Sequence, residues 1–298
     1  MPCCFTHPGR FLRAAFAVLA LHTSTVLLTA QSGETAHVST NIPTPVSWVQ
    51  AATVHELRII DDDGEFPVRY RSRRVDSKND ITREIIESRE GTVARLIQRN
   101  GQPLPAEEDQ AERSRLQAIL DDPSDYLKSK KRNTASRGYA TSLVKLMPIA
   151  MIYSYAAGQP QPPNSPGQQI VLDFRPDPNF KPPTTISELL TGLEGRMWID
   201  RKTGVLTRVD ARVIKGVNFG WGVLAHIYPG GTVEFEQAEA GNGRWIYSQL
   251  NEHVVIREFM VKTANENTRM SAAEIRLLPN ALTYREAIVQ LLAMPLPK

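Results

Sequence analysis

Serines and paired acids are the first candidates for catalysis, and none stands in a recognisable catalytic context. The serines lack the G-x-S-x-G surroundings of a hydrolase nucleophile, and the sequence has no H-E-x-x-H motif. The acidic pairs fall at a predicted helix start and on the outer side of a predicted strand, where acids are ordinary surface charges. The residues concerned are Ser142, Ser154, Ser248, Glu107, Glu108, Glu234 and Glu236. We expect no enzymatic activity, with a hydrolase as the least favoured alternative.

Metal ligation is also weakly supported by the residue types and their spacing. Asp61, Asp62 and Asp63 precede Gly64 without the alternating ligands of a calcium loop, so a solvated turn is predicted there. His226 and His253 could meet across neighbouring strands, but two histidines without a third ligand make a poor metal site. The sequence predicts neither a metal nor a cofactor.

Large apolar side chains are the stronger signal, above all in VNFGWGVLAHIYPGG, Val217 to Gly231. Phe219 and Trp221 are flanked by glycines that allow a kink into a strand, and the closing Gly-Gly predicts a hairpin. Residues this large either plug the end of a core or line an apolar cavity. The same two interpretations apply to other aromatic residues. The predicted ligand-binding set is Trp198, Phe219, Trp221, Phe235 and Trp245.

The first thirty residues have the features of a cleavable secretory signal peptide. Arg10 and Arg13 precede an apolar run from Ala14 to Leu28, and Ala30 offers a small residue at the cleavage point. Both cysteines of the chain lie in this segment, so the mature protein would have neither disulfides nor a catalytic thiol. The net charge of +3 loses two arginines on cleavage and leaves +1. We therefore expect a periplasmic protein without affinity for nucleic acid.

After a flexible N-terminus, residues 31–45, the remaining residues 46–298 are predicted to form one domain of about ten antiparallel strands and a few helices. A helix over Val46–Leu57 would bury Val46, Val49, Thr53 and Leu57, with Val54 on the same face. The predicted strands have period-two alternation and lie between turn residues. They are 66–75, 81–88, 92–99, 149–157, 169–174, 196–200, 205–214, 222–228, 232–238, 244–250, 254–262 and 271–278.

Helices and loops complete the prediction. A charged helix is expected over Ala106–Leu120 and a short one over Thr141–Met147, with a basic surface loop, Lys128–Arg132, between them. Four prolines make Gln159–Gln169 an exposed loop. Thr283 and Glu286 predict a capping box for a last helix. A sheet of this size must curl, and helices must cover its concave face.

The basic strand near the N-terminus has two interpretations. Arg69, Arg71, Arg73 and Arg74 could form a solvated edge or face that discourages strand pairing. Alternatively, they could contact anionic lipid headgroups at a membrane surface.

Several segments together resemble the bacterial outer-membrane lipoprotein-sorting proteins, and more particularly an exported, poorly characterised branch of that superfamily. They are GRMWID at Gly195–Asp200, FGWG at Phe219–Gly222, NGQPL at Asn100–Leu104 and VLDFRPDPNFKPP at Val171–Pro183. The resemblance implies an α+β fold in which a strongly curved antiparallel half-barrel wraps over central helices and leaves an apolar cavity. In the carriers that cavity shelters lipoprotein acyl chains, while related half-barrels act as sensors.

The sequence therefore supports three hypotheses. In the first, the chain binds a lipid, a lipoprotein acyl chain or another apolar ligand in a cavity. In the second, the same fold has a filled core and binds a protein partner. In the third, titratable groups converge in a cleft and catalyse hydrolysis.

Overall fold

A computed structural model describes residues 43–61, 67–163, 165, 167–219, 225–259 and 261–297, without the side chains of residue 61 and residues 129–136. The predicted signal peptide, the turn at Asp62–Gly64 and Trp221 lie outside these residues. Within the described ranges, no helix combines the length and apolar character needed to cross a membrane.

Four α-helices and one 3-10 helix are present in the described ranges. They are α1 (Pro45–Asp61), α2 (Ala106–Asp121), α3 (Ser124–Ala150), the 3-10 helix (Ile186–Thr191) and α4 (Tyr284–Ala293). The predicted capping box is present at the start of α4, where Thr283 accepts a hydrogen bond from the backbone of Glu286 and the Glu286 side chain accepts one in return.

The strands form a single antiparallel sheet of thirteen. They are β1 (Val68–Val75), β2 (Asp80–Ser88), β3 (Gly91–Arg99), β4 (Gln102–Pro103), β5 (Met151–Tyr155), β6 (Gln169–Pro176), β7 (Leu193–Asp200), β8 (Leu206–Val213), β9 (Val217–Phe219), β10 (Ala225–Ile227), β11 (Thr232–Gly241), β12 (Arg244–Glu258) and β13 (Lys262–Leu277). The main order is β4-β3-β2-β1-β13-β12-β11-β8-β7-β6-β5, and β9 and β10 branch from β12.

The sheet is curved but not closed. Side chains from strands as far apart as β2 and β5, including Ile85 and Met151, line the same cavity, so the sheet must bend around it. β4 and β5 each have a neighbour on one side only, which leaves the barrel open. The predicted α+β class with a curved antiparallel sheet is confirmed.

Helices cover the two faces of the sheet in different places. On the inner, concave face, α1 and α3 pack against each other and against the strands at the β5 end, forming the main core. On the outer face, α2 and α4 cover β2 and β3. Ile86, Val93, Leu116, Ile288 and Leu291 make this second, smaller core, and each is at most 2% exposed.

Three predictions about helices and strands were wrong. The basic segment Lys128–Arg132 is not a loop, and Thr141–Met147 is not a separate short helix, because α3 runs without interruption from Ser124 to Ala150 and contains Pro148. The predicted strands Arg244–Leu250 and Val254–Lys262 are not separate. They merge into one strand, β12, which ends at Glu258, since His253 and its neighbours stay paired with both β11 and β13.

The orientation of α1 also differs from the prediction. Its buried positions are Val49, Ala52, Glu56 and Ile60, at steps of three and four. Val54, predicted on the buried face, is 51% exposed. The buried face is therefore rotated around the helix, and a glutamate lies on it.

Candidate functional site

A cavity of about 450 Å³ lies between the concave face of the sheet and helices α1 and α3. This volume is within the range of small-ligand sites, about 300–1,000 Å³. The cavity forms because the curved sheet presents more apolar surface than the two helices cover. Much of its lining is apolar, and polar residues are gathered in one part of it.

The apolar part lies toward the β5 end of the sheet. Leu143, Val144 and Met147 reach it from α3. Leu189 and Leu190 of the 3-10 helix close it at one side. The strands contribute Met151, Phe174, Leu193, Leu206, Val209, Ala211, Val233, Phe235 and Leu250. This part contains no charged side chain among the described lining residues.

The polar part lies toward the hairpin between β2 and β3. Glu87 accepts hydrogen bonds from the Tyr70 hydroxyl at 2.9 Å and from the Thr92 hydroxyl at 3.0 Å. Glu90 accepts one from the backbone of Tyr284 at 2.8 Å. Arg89, Tyr126, Arg137, Arg244, Ser248 and Ser271 complete this part of the lining.

Glu56 is the buried acid of the cavity wall and is 4% exposed. Its Oε1 accepts a hydrogen bond from Nε2 of Gln237 at 2.5 Å, and its Oε2 accepts one from the Tyr247 hydroxyl at 3.2 Å. Burial raises the pKa of Glu56 to about 7, although these two hydrogen bonds act in the opposite direction. The carboxyl group therefore changes charge near neutral pH.

The predicted aromatic residues do not all meet in the cavity. Phe235 and Trp245 line it, and the Phe235 ring packs edge-on against Tyr247 at 5.5 Å. Phe219 lies on β9 and is buried in the main core. This position agrees with the interpretation that its side chain plugs the end of the core. Trp221 lies outside the described residues.

Trp198 lies on the opposite, outer face of the sheet and does not line the cavity. Its indole Nε1 donates to the carbonyl of Pro160 at 2.9 Å, and the Arg208 guanidinium lies 5.2 Å from its ring centroid. The Pro-rich loop covers this part of the outer face, so Trp198 is 7% exposed despite pointing away from the main core.

The same outer face has an open groove of about 940 Å³ along β6, β7, β8 and β11. Most of its charged side chains are held in four ion pairs. These are Arg196 with Asp173, Arg208 with Asp210, Arg208 with Glu236, and Arg212 with Glu194. The groove is therefore internally neutralised.

The predicted basic strand, β1, is not an edge, and each of its four arginines lies beside an acid. It lies between β2 and β13, so it has no free edge. Arg69 binds the buried Glu84 at 2.6 Å, and Arg71 lies 3.5 Å from the same carboxylate and binds Glu274. Arg73 binds Asp80 through two hydrogen bonds, and Arg74 lies 3.3 Å from Asp76.

The described part of the chain contains no group of three or more metal-ligating side chains. His226 bonds to Asn218 and is paired in register with Arg257, whereas His253 is paired with Thr232 and Asn267, so the two histidines are not cross-strand neighbours. The Ser142 hydroxyl donates to the carbonyl of Gly138, four residues earlier in α3. Neither arrangement assembles a metal site or an activated nucleophile.

Sequence comparisons give no family: no family model matches the chain, and no curated protein matches it. Among solved structures, it is similar to the crystal structure of a DUF1329 family protein from Desulfovibrio piger ATCC 29098. The identity is 11% and the TM-score 0.31, over 79% of this chain and 94% of that one.

The sequence prediction missed the polar residues of the cavity. Glu56 could have been found from its position, because it continues the buried series Val49 and Ala52 of α1 at a step of four. Arg137, in the middle of α3, and Arg244, at the start of β12, had no such signal, since arginine is ordinary on a protein surface.

Proposed function

We propose that this chain is a binding protein that holds an acyl chain or a similar apolar ligand in the cavity. The single observation that supports this is the cavity itself, about 450 Å³ with a continuous apolar part. A fold made only to present an outer surface would gain stability by filling this space, because an unfilled apolar cavity costs contacts on its walls.

The energy of binding follows from burial of the ligand. Each buried methylene contributes about 0.8 kcal/mol, so a dozen contribute on the order of 9 or 10 kcal/mol before ordering costs. Binding of this kind requires no covalent chemistry, only a concave apolar surface and access to it. We therefore propose a carrier or ligand-storing role and no catalytic one.

The predicted signal peptide, residues 1–30, would make this a periplasmic protein. A carrier in that compartment fits the resemblance of the sequence to the lipoprotein-sorting superfamily, in which we propose the chain is a divergent member. The ligand would then be a lipid, a lipoprotein acyl chain or another amphipathic molecule of the cell envelope.

Native mass spectrometry of the protein purified from the periplasm, followed by solvent extraction, tests the proposal directly. We expect one acyl ligand per chain, identified in the extract. A protein that carries no ligand and also binds no added fatty acid or lipopeptide would refute the proposal.

A variant that fills the cavity tests where the ligand lies. Ala140 lines the cavity from α3, whereas Ala118 is an exposed residue of α2 on the other side of the sheet. We expect Ala140→Phe to weaken binding of a fluorescent fatty acid at least tenfold. Ala118→Phe, the matched control, should bind like the parent chain. Equal affinities for the two variants, with unchanged unfolding midpoints, would place the ligand elsewhere.

A further inference from the structure

The two ends of the cavity differ in chemistry, and the difference follows the length of α3. Tyr126, Arg137, Ala140, Leu143, Val144 and Met147 line the cavity from this helix. Their spacing places them on one face, so the face begins with a phenol, passes an arginine and becomes fully apolar from Ala140 onward. A ligand lying along this face would meet polar groups at one end only.

The sheet shows the same division on the opposite wall. β8 and β11 contribute aliphatic residues and Phe235. Among its apolar lining residues, β12 also contributes polar ones, which are Arg244, Tyr247, Ser248 and Gln249. Burial and Glu87 raise the pKa of the Tyr70 hydroxyl, and the nearby positive charge of Arg244 lowers it by a smaller amount. Arg244 therefore belongs to the polar end.

The charges at the polar end favour an anion. Arg89, Arg137 and Arg244 line it, together with Glu87 and Glu90. Both acids accept hydrogen bonds from the protein, Glu87 from Tyr70 and Thr92, and Glu90 from the backbone of Tyr284. At this end of the cavity, three guanidinium groups thus face two carboxylates.

We propose that the ligand is amphipathic and anionic, with its head group held by Arg137 from α3 and Arg244 from β12 and its tail in the apolar part. This inference rests on the proposed binding function and specifies its ligand class. Guanidinium groups bind carboxylates and phosphates with two parallel hydrogen bonds, and in a partly buried site such a bond is stronger than a neutral one. The head group is therefore a carboxylate or a phosphate.

Ligands that share a tail and differ in the head group test this inference. Palmitic acid, its methyl ester and palmitoyl lysophosphatidic acid would be compared by displacement of a fluorescent probe. We expect at least one of the two anions to bind ten or more times tighter than the ester. The preferred anion identifies the head group as a fatty-acid carboxylate or a lipid phosphate, and inorganic phosphate as a competitor shows whether the head alone suffices.

Substitution of the arginines locates the head group. Arg137→Gln and Arg244→Gln should each reduce the preference for the anion at least threefold and leave the affinity for the ester unchanged. Arg212→Gln, on the outer face and paired with Glu194, is the matched control and should preserve the preference. A chain that merely lost stability would bind acid and ester equally weakly.

The outcomes separate this inference from the proposed function. If the ester and both anions bind with equal affinity, the head-group site is refuted and the apolar binding function stands. If the anions are preferred but the preference survives both substitutions, the assignment to Arg137 and Arg244 is refuted. If none of the three ligands binds, the proposed function itself fails.

Discussion

The outer and inner faces of strands β1 to β3 are built in opposite ways from the same stretch of sequence. On the outer face, Ile86 and Val93 are sealed under α2 and α4, and the buried charges are paired. On the inner face, Tyr70, Ile85 and Glu87 border an unfilled cavity. Adjacent residues of one strand, such as Ile85 and Ile86, therefore serve different purposes.

Buried arginine makes the contrast sharpest. Arg95 is 0% exposed on the outer face, where its Nη1 donates to the carbonyls of Leu291 and Met294 and its Nη2 to Asp109. These bonds hold the C-terminal end of α4, where the Leu291 carbonyl also accepts the backbone N–H of Met294. Over β2 and β3, the outer face is thus closed by α2, α4 and these hydrogen bonds. The inner face has polar groups that border open space.

The largest expected effect is on the sealed face. Arg95→Met leaves the carbonyls of Leu291 and Met294 without this donor and removes a buried charge partner from Asp109, so we expect a loss of about 3–5 kcal/mol in the free energy of unfolding. Urea unfolding measures it. Arg99 is on the same strand as Arg95 and forms an exposed ion pair with Glu108 of α2. Arg99→Met should therefore reduce the free energy of unfolding by less than about 1 kcal/mol. Similar losses for both variants would contradict the contrast.

Truncation of apolar side chains compares the two faces next. Ile86→Ala should cost about 2–5 kcal/mol, because Ile86 is fully buried and its removal leaves a void in a filled core. Phe235→Ala should cost less than the 3–5 kcal/mol expected for a filled core, since its ring is only partly buried beside existing space. A loss of about 3–5 kcal/mol in the free energy of unfolding for Phe235→Ala would show that the cavity collapses around Phe235 in solution.

Glu56 gives the cavity face a pH dependence. Because burial raises the pKa from 4.5 to about 7, the folded chain binds a proton more tightly than the unfolded chain. The contribution of Glu56 to the free energy of unfolding should therefore be highest below pH 4.5. It should fall by roughly 3 kcal/mol in total as the pH rises toward 7. Glu56→Gln should remove this dependence and stabilise the chain at pH 8.

Urea unfolding of the parent chain and Glu56→Gln at pH 5, 6 and 8 measures the slope. The same substitution at Glu107, an exposed acid of α2, is the control and should retain the pH dependence of the parent. A parent chain whose stability does not change over this range, or a Glu56→Gln variant that keeps the slope, would contradict the assignment.

The smallest expected effect concerns β1. Arg73 is the most exposed of its four arginines and makes two hydrogen bonds with Asp80. Its guanidinium is thus already occupied by a carboxylate, and we expect Arg73→Gln to bind anionic lipid vesicles as the parent chain does. Co-sedimentation with vesicles of phosphatidylglycerol measures this. Weaker sedimentation of the variant would support the hypothesis of headgroup contact that the sequence raised.

Much of the fold was accessible from sequence because alternation in β2, β3 and β8 and the capping box at Thr283 are local signals. Helix α3 was missed where Pro148 suggested an earlier end, although Ala150 is still helical. The split of β12 was predicted because polar residues interrupt its apolar pattern, whereas its pairing with neighbours on both sides keeps it continuous. These errors arise where long-range pairing overrides local pattern.

The site was harder to predict from the sequence, because alternation separates the two faces of a strand but does not indicate which face is concave. Phe235 and Trp245 line the cavity wall, whereas Trp198 alternates equally well and lies outside, under the Pro-rich loop. The cavity arginines come from elements far apart in the chain, so the fact that they line one cavity depends on the curvature of the whole sheet.

The pairing of β1 with β13 also determines the order of assembly. Val68 is opposite Leu277 and Val75 is opposite Arg269, so nearly the entire chain must be present before this pair can form. It joins the four-stranded polar end of the sheet to the apolar end. Contacts so distant in sequence slow folding, because the loop between them must be closed first. The cavity between sheet and helices therefore cannot form until β13 has been synthesised and has paired with β1.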